Sequence, residues 1–340
     1  MPHTGSPQSS AHLYIISFLF LLCALHFYSP VHFPVNEEVK SATMLETIYV
    51  TRHGFRSSWV TDGQGNNSEI LASPTGIPSD PPLAAYGTEQ ARELMAHLAK
   101  LDPKIDRIYS SPFYRCLETI DPTAEALNLG IFADNGVGEW YGVSRSTHPS
   151  PASPELLHTF FPRVSLSYVP TIIPSTKGET IVQIHDRTAY ALARIIADID
   201  RGWSEEGKGP RAIIICSHAA TDIAAGRALT GDEAFDVKAG TCSLSTYRRR
   251  KVPTNPTVVP LPSDEFPIPD TAWRGGNGVG GGWDSIVNGD CSFLKNGEER
   301  NWWFSDEETW DSSIVKPRPG EAPEGGPGSV SQSGQMGAKI

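Results

Sequence analysis

The apolar positions of this chain fall into short continuous runs separated by longer stretches of helical period. Residues 47–51 (TIYVT) form a β-branched and aromatic run. It predicts a buried strand that ends at Arg52-His53-Gly54. A helix is expected to start near Thr88, because Ala91, Leu94, Met95 and Leu98 then repeat at helical spacing. Residues 105–109 (IDRIY) predict a second strand, which runs into Ser110-Ser111-Pro112 and is followed by a helix through Leu127 carrying Arg115. From Thr180, the residues Ile181, Ile184, Thr188, Leu192, Ile195 and Ile199 line one face of an amphipathic helix of about five turns. Asp186, Arg187, Arg194 and Asp198 fall mostly elsewhere around it. The run RAIIICSH is apolar without alternation and suits a strand covered on both faces, ending at His218. Residues 221–229 predict the next helix, and 242–249 a returning strand.

Strands alternating with helices argue for an α/β fold, a three-layer α/β/α sandwich with a mainly parallel central sheet. In such sheets functional residues gather just past the carboxyl ends of the strands. Arg52-His53, Ser110-Ser111 and His218 all stand at such ends.

The pattern breaks in several places. Residues 61–82 are polar and rich in Gly and Pro, a loop. The insertion 145–178 holds Pro149, Pro151, Pro154, Pro162, Pro170 and Pro174, so a regular core helix is not expected there. It suits a segment that lies over a pocket. A domain over 44–250 is followed by a Pro/Gly-rich segment over 251–315. Within it Asn296-Gly297 predicts a hairpin over 291–304, docked on the domain so that Trp302, Trp303 and Trp310 are covered. The tail 316–340 has no core-forming pattern and is expected to be disordered. Residues 1–43 form an N-terminal extension. Its apolar segment 13–28 is slightly short of the roughly 20 residues of a membrane span and lacks a basic flank. Three readings stand open: an upstream extension outside the working protein, with a cytoplasmic or nuclear chain starting at Met44, a single-pass membrane anchor, or a secretory signal.

Composition narrows the classes. Hydrophobic residues make up 39% and charged residues 20%, enough for a sizeable core and against wholesale disorder. The net charge of −11 speaks against a broad nucleic-acid surface, which needs concentrated positive charge. The five cysteines are odd in number, widely spaced and without a C-x-x-C, so neither a zinc site nor a disulfide framework is expected. Cys216, inside the apolar run, suits a small core residue.

Against that acidic background, two histidines and up to three arginines converge on the predicted strand ends. A phosphate ester is the natural guest, because guanidinium forks match phosphate oxygens and a neutral imidazole can attack phosphorus. Gly54 is expected to remove a side chain where backbone approaches an anion.

The ordered set Arg52-His53-Gly54, Ser110-Ser111-Pro112 with Arg115-Cys116 and Glu118-Thr119, Gly178-Glu179-Thr180, and Ser217-His218-Ala219 resembles the histidine phosphatase superfamily, with its phosphoglycerate-mutase-like fold. The resemblance covers residues 45–249. It implies that His53 is the nucleophile, forming a phosphohistidine. Arg52, Arg115 and His218 would grip the phosphoryl oxygens, with Arg56 as a fourth member and Gly54 and Ser110 beside the substrate. No metal or cofactor is implied, since the arginines do the neutralising. Glu139, in the stretch Gly138-Glu139-Trp140, matches the proton donor, and Trp140 is expected to shield it and raise its pKa. Asp222 is the rival acid and is expected to cap or brace the helix after His218.

Where the mutase branch has Glu-Thr and Trp-Asn after its first motif, this chain has Phe55, Arg56, Ser57, Ser58 and Trp59. Phe55-Arg56 and Asp80-Pro81-Pro82-Leu83 are more similar to the protein-tyrosine-phosphatase-like branch. That branch includes the phosphatase-type domain of a fungal RNA polymerase III transcription factor subunit of 55 kDa. The resemblance therefore implies a metal-independent phosphomonoesterase whose substrate is left open; an aryl or protein phosphate suits the aromatic residues Phe55, Trp59, Trp140 and Tyr141. The alternative is a catalytically weak phosphatase-like domain used in protein assembly, with a partner at the Pro-rich insertion or the C-terminal segment.

Overall fold

A computed structural model describes residues 1, 44–57, 72–77, 79–143, 148–250, 258–261 and 268–304. The apolar segment 13–28, Trp310 and the tail 316–340 lie outside the described residues. In chain order the elements are β1 (Thr47–Arg52), α1 (Ala85–Leu98), β2 (Arg107–Ser110), α2 (Tyr114–Leu127), β3 (Ile131–Ala133), α3 (Pro154–Phe160), α4 (Ile181–Glu206), β4 (Ala212–Ser217), α5 (Ala219–Thr230), β5 (Leu244–Arg249) and β6 (Trp283–Asp290).

The strands form one sheet in the order β3-β2-β4-β1-β5-β6. β3, β2, β4 and β1 run parallel. β5 and β6 are antiparallel additions at the edge. The unalternated runs of β1 and β4 are explained by cover on both faces. Ile48, Val50, Ile213 and Ile215 pack with Leu192, Ile195, Ile196 and Leu229 of α4 and α5. Tyr49, Ile108, Ile214 and Cys216 pack with Leu94, Leu98, Leu117 and Ile120 of α1 and α2. The result is a mixed α/β domain with a mostly parallel central sheet flanked by helices. Each such side chain contributes about 1.5–3 kcal/mol on full burial, so packing rather than helix propensity holds the layers.

Three local expectations differ from the structure. First, α4 is 26 residues long, because Thr180 and Gln183 close a capping box at its start and Gly207 ends it in a left-handed conformation. Its Arg187 is fully buried rather than on the polar face. Second, the insertion does carry a helix, α3, with Pro154 at its first turn, Ser153 as cap and only Leu157 buried. Third, no strands flank Asn296-Gly297, so 291–304 is not a hairpin. Asn-Gly makes a hairpin only between alternating strands. Here the strand precedes it: β6 pairs with β5. Among the described residues no helix is long and apolar enough to cross a membrane.

Candidate active site

The parallel register sets Arg52 beside Ser217 and Ser110 beside Cys216, which brings three strand ends side by side. The ladder continues one residue further. The His53 amide donates to the Ser217 carbonyl at 3.0 Å, and the Ser111 amide to the Cys216 carbonyl at 2.9 Å. The residues that follow each strand are therefore fixed by backbone bonds before any side chain is considered.

His53 is buried, and its Nδ1 lies 2.8 Å from the Gly54 carbonyl. A carbonyl only accepts, so Nδ1 carries the proton and Nε2 keeps its lone pair. Burial, followed by the positive charges of Arg115 and Arg52, holds the imidazole well below its ordinary pKa. His53 is thus neutral at physiological pH. The Gly54 amide donates to Thr119 Oγ1 at 3.0 Å, and the Phe55 amide to Gln90 Oε1 at 2.9 Å. Gly54 has a packing reason to lack a side chain: a Cβ there would lie 2.8 Å from the Gly87 carbonyl oxygen. At Gly87 a Cβ would lie 2.0 Å from the Phe55 carbonyl oxygen. The pair of glycines lets α1 pack directly against the turn after β1.

Arg115, buried at the start of α2, reaches Glu139 Oε2 at 2.7 Å and Asp80 Oδ1 at 3.4 Å. Asp80 also accepts from the Tyr114 amide at 2.8 Å, so it braces the first turn of α2 as well as its arginine. The other Glu139 oxygen accepts from the Trp140 amide at 3.0 Å. His218 presents Nδ1 to Glu139 Oε2 at 3.1 Å and Nε2 to Ser111 Oγ at 2.7 Å. Arg115 Nη2 also lies 3.1 Å from His218 Nδ1. That nitrogen cannot both accept from Arg115 and donate to Glu139. Burial disfavours a charged His218, but Cys116 and Glu139 outweigh it and raise the pKa. The imidazolium that donates to the shared carboxylate is the consistent state.

Glu139 itself is pushed up by burial, but His218 and Arg115 overcome this and hold it well below the usual carboxylate range. This overturns the expectation that Trp140 would raise it. Trp140 turns away instead. Its indole N–H donates to the Glu179 carbonyl at 2.8 Å, and its ring packs on Trp302 and Phe304.

Arg52 is buried and donates through Nη1 to the carbonyls of Ala239 and Arg300, each at 2.6 Å. Burial lowers its pKa to about 10, with Asp222 and Glu139 opposing, so it stays charged at neutral pH. Arg56 is also buried and pairs its backbone with Leu83 in an isolated bridge. Its charge acts on both His53 and Glu139.

Two further expectations change. Ser110 Oγ donates to the Ser111 carbonyl at 2.9 Å, and it is Ser111 that touches His218. Successive strand residues face opposite ways, so only one of the two serines can face the cluster. Asp222 makes no side-chain cap on α5. It is buried, and burial raises its pKa well above the carboxylate range despite His218 and Arg52. Burial thus favours its protonated form, and its Oδ1 lacks a hydrogen-bond partner among the described residues.

Arg187 and Glu179 went unassigned in the sequence. Arg187 Nε donates to Glu179 Oε1 at 2.7 Å and Nη2 to Oε2 at 2.9 Å, a bidentate buried pair. The same guanidinium binds the carbonyls of Gly136 at 2.9 Å, Gly138 at 3.3 Å and Glu139 at 3.3 Å. Thr221 Oγ1 adds a bond to the Gly138 carbonyl at 2.7 Å, and Ser217 Oγ one to Val137 at 2.6 Å. The Glu139 loop is therefore tied to α4, β4 and α5. The available signal was the spacing of Arg187, two turns of helix beyond Glu179 in the Gly178-Glu179-Thr180 stretch.

A pocket opens beside Glu139. The 145–178 insertion supplies one wall, including His148, Pro149, Pro151, Ile173 and Pro174, and Phe113 and Tyr141 form another. A row of rings leads from the cluster into it. Phe113 meets His218 edge-on at 5.6 Å, Tyr141 meets Phe113 at 6.1 Å, and His148 stacks on Tyr141 at 5.1 Å. Among the described lining residues none is Lys or Arg. No group of three or more His, Cys, Asp or Glu that could hold a metal ion occurs among the described residues.

Comparison with known proteins places this geometry. The model of the histidine phosphatase superfamily (branch 1) matches residues 48–252. The transcription factor tau 55 kDa subunit of Saccharomyces cerevisiae is 34% identical over 275 residues, covering 77% of this chain and 59% of that protein. The ecdysteroid-phosphate phosphatase of Drosophila melanogaster is 28% identical over 212 residues, covering 54% of this chain and 27% of that protein. The chain thus spans less than two thirds of either curated relative. Among solved structures, the ecdysone phosphate phosphatase from Bombix mori in complex with tungstate is similar with a TM-score of 0.46 and 21% identity. It covers 65% of this chain and 98% of its own.

Proposed function

The chain belongs to the histidine phosphatase superfamily, branch 1, and from that premise we propose that it is a phosphomonoesterase working through a phosphohistidine on His53. The observation that carries the reading is the neutral imidazole of His53, its proton held on Nδ1 by the Gly54 carbonyl, set among Arg52, Arg56, Arg115 and His218. The ester's phosphoryl oxygens take the arginines and His218. Nε2 attacks phosphorus opposite the leaving oxygen, and the ester P–O bond breaks as the N–P bond forms. Charge already in place at those oxygens lowers the barrier without reorganisation.

Glu139 begins ionised. An arriving phosphate dianion competes for Arg115 and His218, so the carboxylate loses the charges that depress its pKa and gains a like-charged neighbour. It then takes up a proton and delivers it to the leaving oxygen. Afterwards, as a carboxylate, it draws a proton from the water that hydrolyses the phosphohistidine.

The ring-lined pocket without a described cation supports a leaving group that is flat, apolar and uncharged, such as a phenol. A second anion on the substrate would find no partner there. Trapping of labelled phosphate on the wild type but not on His53→Ala tests the intermediate. Hydrolysis of nitrophenyl phosphate in strong preference to phosphoserine tests the leaving-group class. Stable label on the His53 variant would overturn the first, and equal kcat/KM for both substrates the second.

A second reading, an assembly module with little turnover, is favoured by the similarity to a transcription factor subunit. It is also favoured by the exposed apolar side chains of Leu156, Phe160, Leu166, Val169 and Ile173 on the insertion. Wild-type protein that binds inorganic phosphate in calorimetry yet never forms phosphoenzyme would select that reading.

A further inference from the structure

Behind the phosphate cluster lies a pair of thiols that phosphoryl transfer does not use. Cys116 follows Arg115 on α2, and Cys216 sits one residue before the end of β4; both are fully buried. Cys116 Sγ is 3.5 Å from His218 Nε2 and 3.9 Å from Nδ1, and 3.4 Å from the Ser217 carbonyl oxygen. Cys216 Sγ donates to the Cys116 carbonyl at 3.4 Å, which sets the second thiol against the residue that carries the first. The four cysteines among the described residues are all free.

We propose that Cys116 and Cys216 form a peroxide-reactive dithiol, with Cys116 the attacking sulfur and Cys216 the resolving one. Three positions converge on this. A thiol against an imidazolium and next to an arginine has its thiolate stabilised by both charges. A second thiol stands within reach to capture the first oxidation product. Access is provided by the active site itself: an opening that brings a phosphate ester to His218 also brings a neutral molecule scarcely larger than water to the sulfur beside it.

Burial raises the Cys116 pKa, but the bond from Cys216 and the charge of His218 bring it down to about 5. Cys242, buried without such partners, is raised beyond the ordinary thiol range.

The chemistry balances with hydrogen peroxide as the oxidant. The Cys116 thiolate attacks one peroxide oxygen, an S–O bond forms, the O–O bond breaks, and the departing hydroxide leaves as water with the His218 proton. Cys216 then attacks the sulfenic sulfur. An S–S bond forms, the S–O bond breaks, and the thiol proton leaves with the hydroxyl as a second water. Two electrons pass from the dithiol to the peroxide. The disulfide removes the thiolate paired with His218 and draws the first turn of α2, with Arg115, toward β4. Turnover falls until a dithiol reductant reverses it.

The test treats the full chain with hydrogen peroxide and maps the peptides without reduction. A Cys116–Cys216 cross-link is expected to form at least about tenfold faster than any modification of Cys242 or Cys291. Inorganic phosphate should slow it, and dithiothreitol should restore both thiols and any phosphatase activity lost. In Cys216→Ala, Cys116 should instead proceed to the sulfinic acid, and activity should not return. The peptide map is independent of turnover, so the cross-link is read whether or not the chain proves to be a phosphatase. First oxidation at Cys242 or Cys291, or a wild-type map without the cross-link, overturns the proposal.

Discussion

Glu139 holds Arg115 through an oxygen–nitrogen contact of 2.7 Å, at a guanidinium nitrogen that a phosphoryl oxygen also needs. The same carboxylate oxygen lies 3.1 Å from His218 Nδ1. Under the proposed reading, Glu139 and a substrate phosphoryl group compete for the same guanidinium and imidazole.

Glu139→Gln separates binding from chemistry. Two unit charges 4 Å apart interact by about 4 kcal/mol at an effective dielectric constant of 20, so removing the competing carboxylate should tighten inorganic phosphate binding about tenfold or more. Turnover of alkyl phosphates should fall by about 10²–10⁴, and that of nitrophenyl phosphate far less. Calorimetry with phosphate and paired kinetics on the two esters check this. Weaker phosphate binding in the variant would show that Glu139 does not compete for the clamp.

His53 sets an acid limb. Its folded pKa lies well below the ordinary imidazole value because of burial and then Arg115 and Arg52. The native state thus stays unprotonated where the unfolded chain binds a proton. Stability is lost as pH falls below about 6.5, the unfolded value. Phosphoenzyme formation should persist below pH 6.5. A ¹⁵N titration that placed the His53 pKa at or above the ordinary value would contradict the buried cluster.

Asp222 gives the opposite sign. Burial raises its pKa, so between the ordinary carboxylate pKa and the folded one the native state holds a proton that the unfolded chain releases. Stability then falls as pH rises through that window. Asp222→Asn should raise Tm at pH 7 and leave it nearly unchanged at pH 4. It should not reproduce the leaving-group dependence of Glu139→Gln. A variant less stable at pH 7 than the wild type would mean that Asp222 is ionised in the fold.

Arg187 acts on the site through the loop it holds. Arg187→Met leaves Glu179 buried without its partner, which should cost about 3–5 kcal/mol. Adding Glu179→Gln should recover much of that stability, because no lone charge remains. Turnover should stay depressed in the double variant, since the carbonyls of Gly136, Gly138 and Glu139 have lost their donor. Chemical denaturation and kcat measured on the same samples distinguish the two effects. Full recovery of kcat would confine Arg187 to a structural role.

Much of this site is legible in the chain because parallel strands announce themselves. TIYVT and RAIIICSH are apolar on both faces, and the residues that end them must emerge together at one edge of the sheet. The strand ends point to Arg52, His53 and His218 on this ground alone, whereas Arg115 and Glu139 are singled out through the resemblance to the histidine phosphatase superfamily. Other parts depend on contacts that no local pattern encodes. Which of Ser110 and Ser111 faces His218 is a matter of one strand residue. Arg187 sits among apolar neighbours because its partner, Glu179, is buried with it. β6 hides in a Gly-rich stretch, since it only needs to add to the existing edge of β5. Asn296-Gly297 turns the chain without strands on either side to pair.

Arg52 is gripped by the Arg300 carbonyl, 248 positions further along the chain. A ribosome adding roughly 5–20 residues per second needs on the order of 12–50 s to cover that interval. Throughout it, the nascent chain already carries His53 but lacks the backbone that orients the neighbouring guanidinium. A chain released early, or one whose last described strand fails to add to the sheet, would present an incomplete anion cradle to the cell's phosphate esters. The bond from Arg52 to Arg300 thus makes the anchoring of that guanidinium wait for the segment that follows β6.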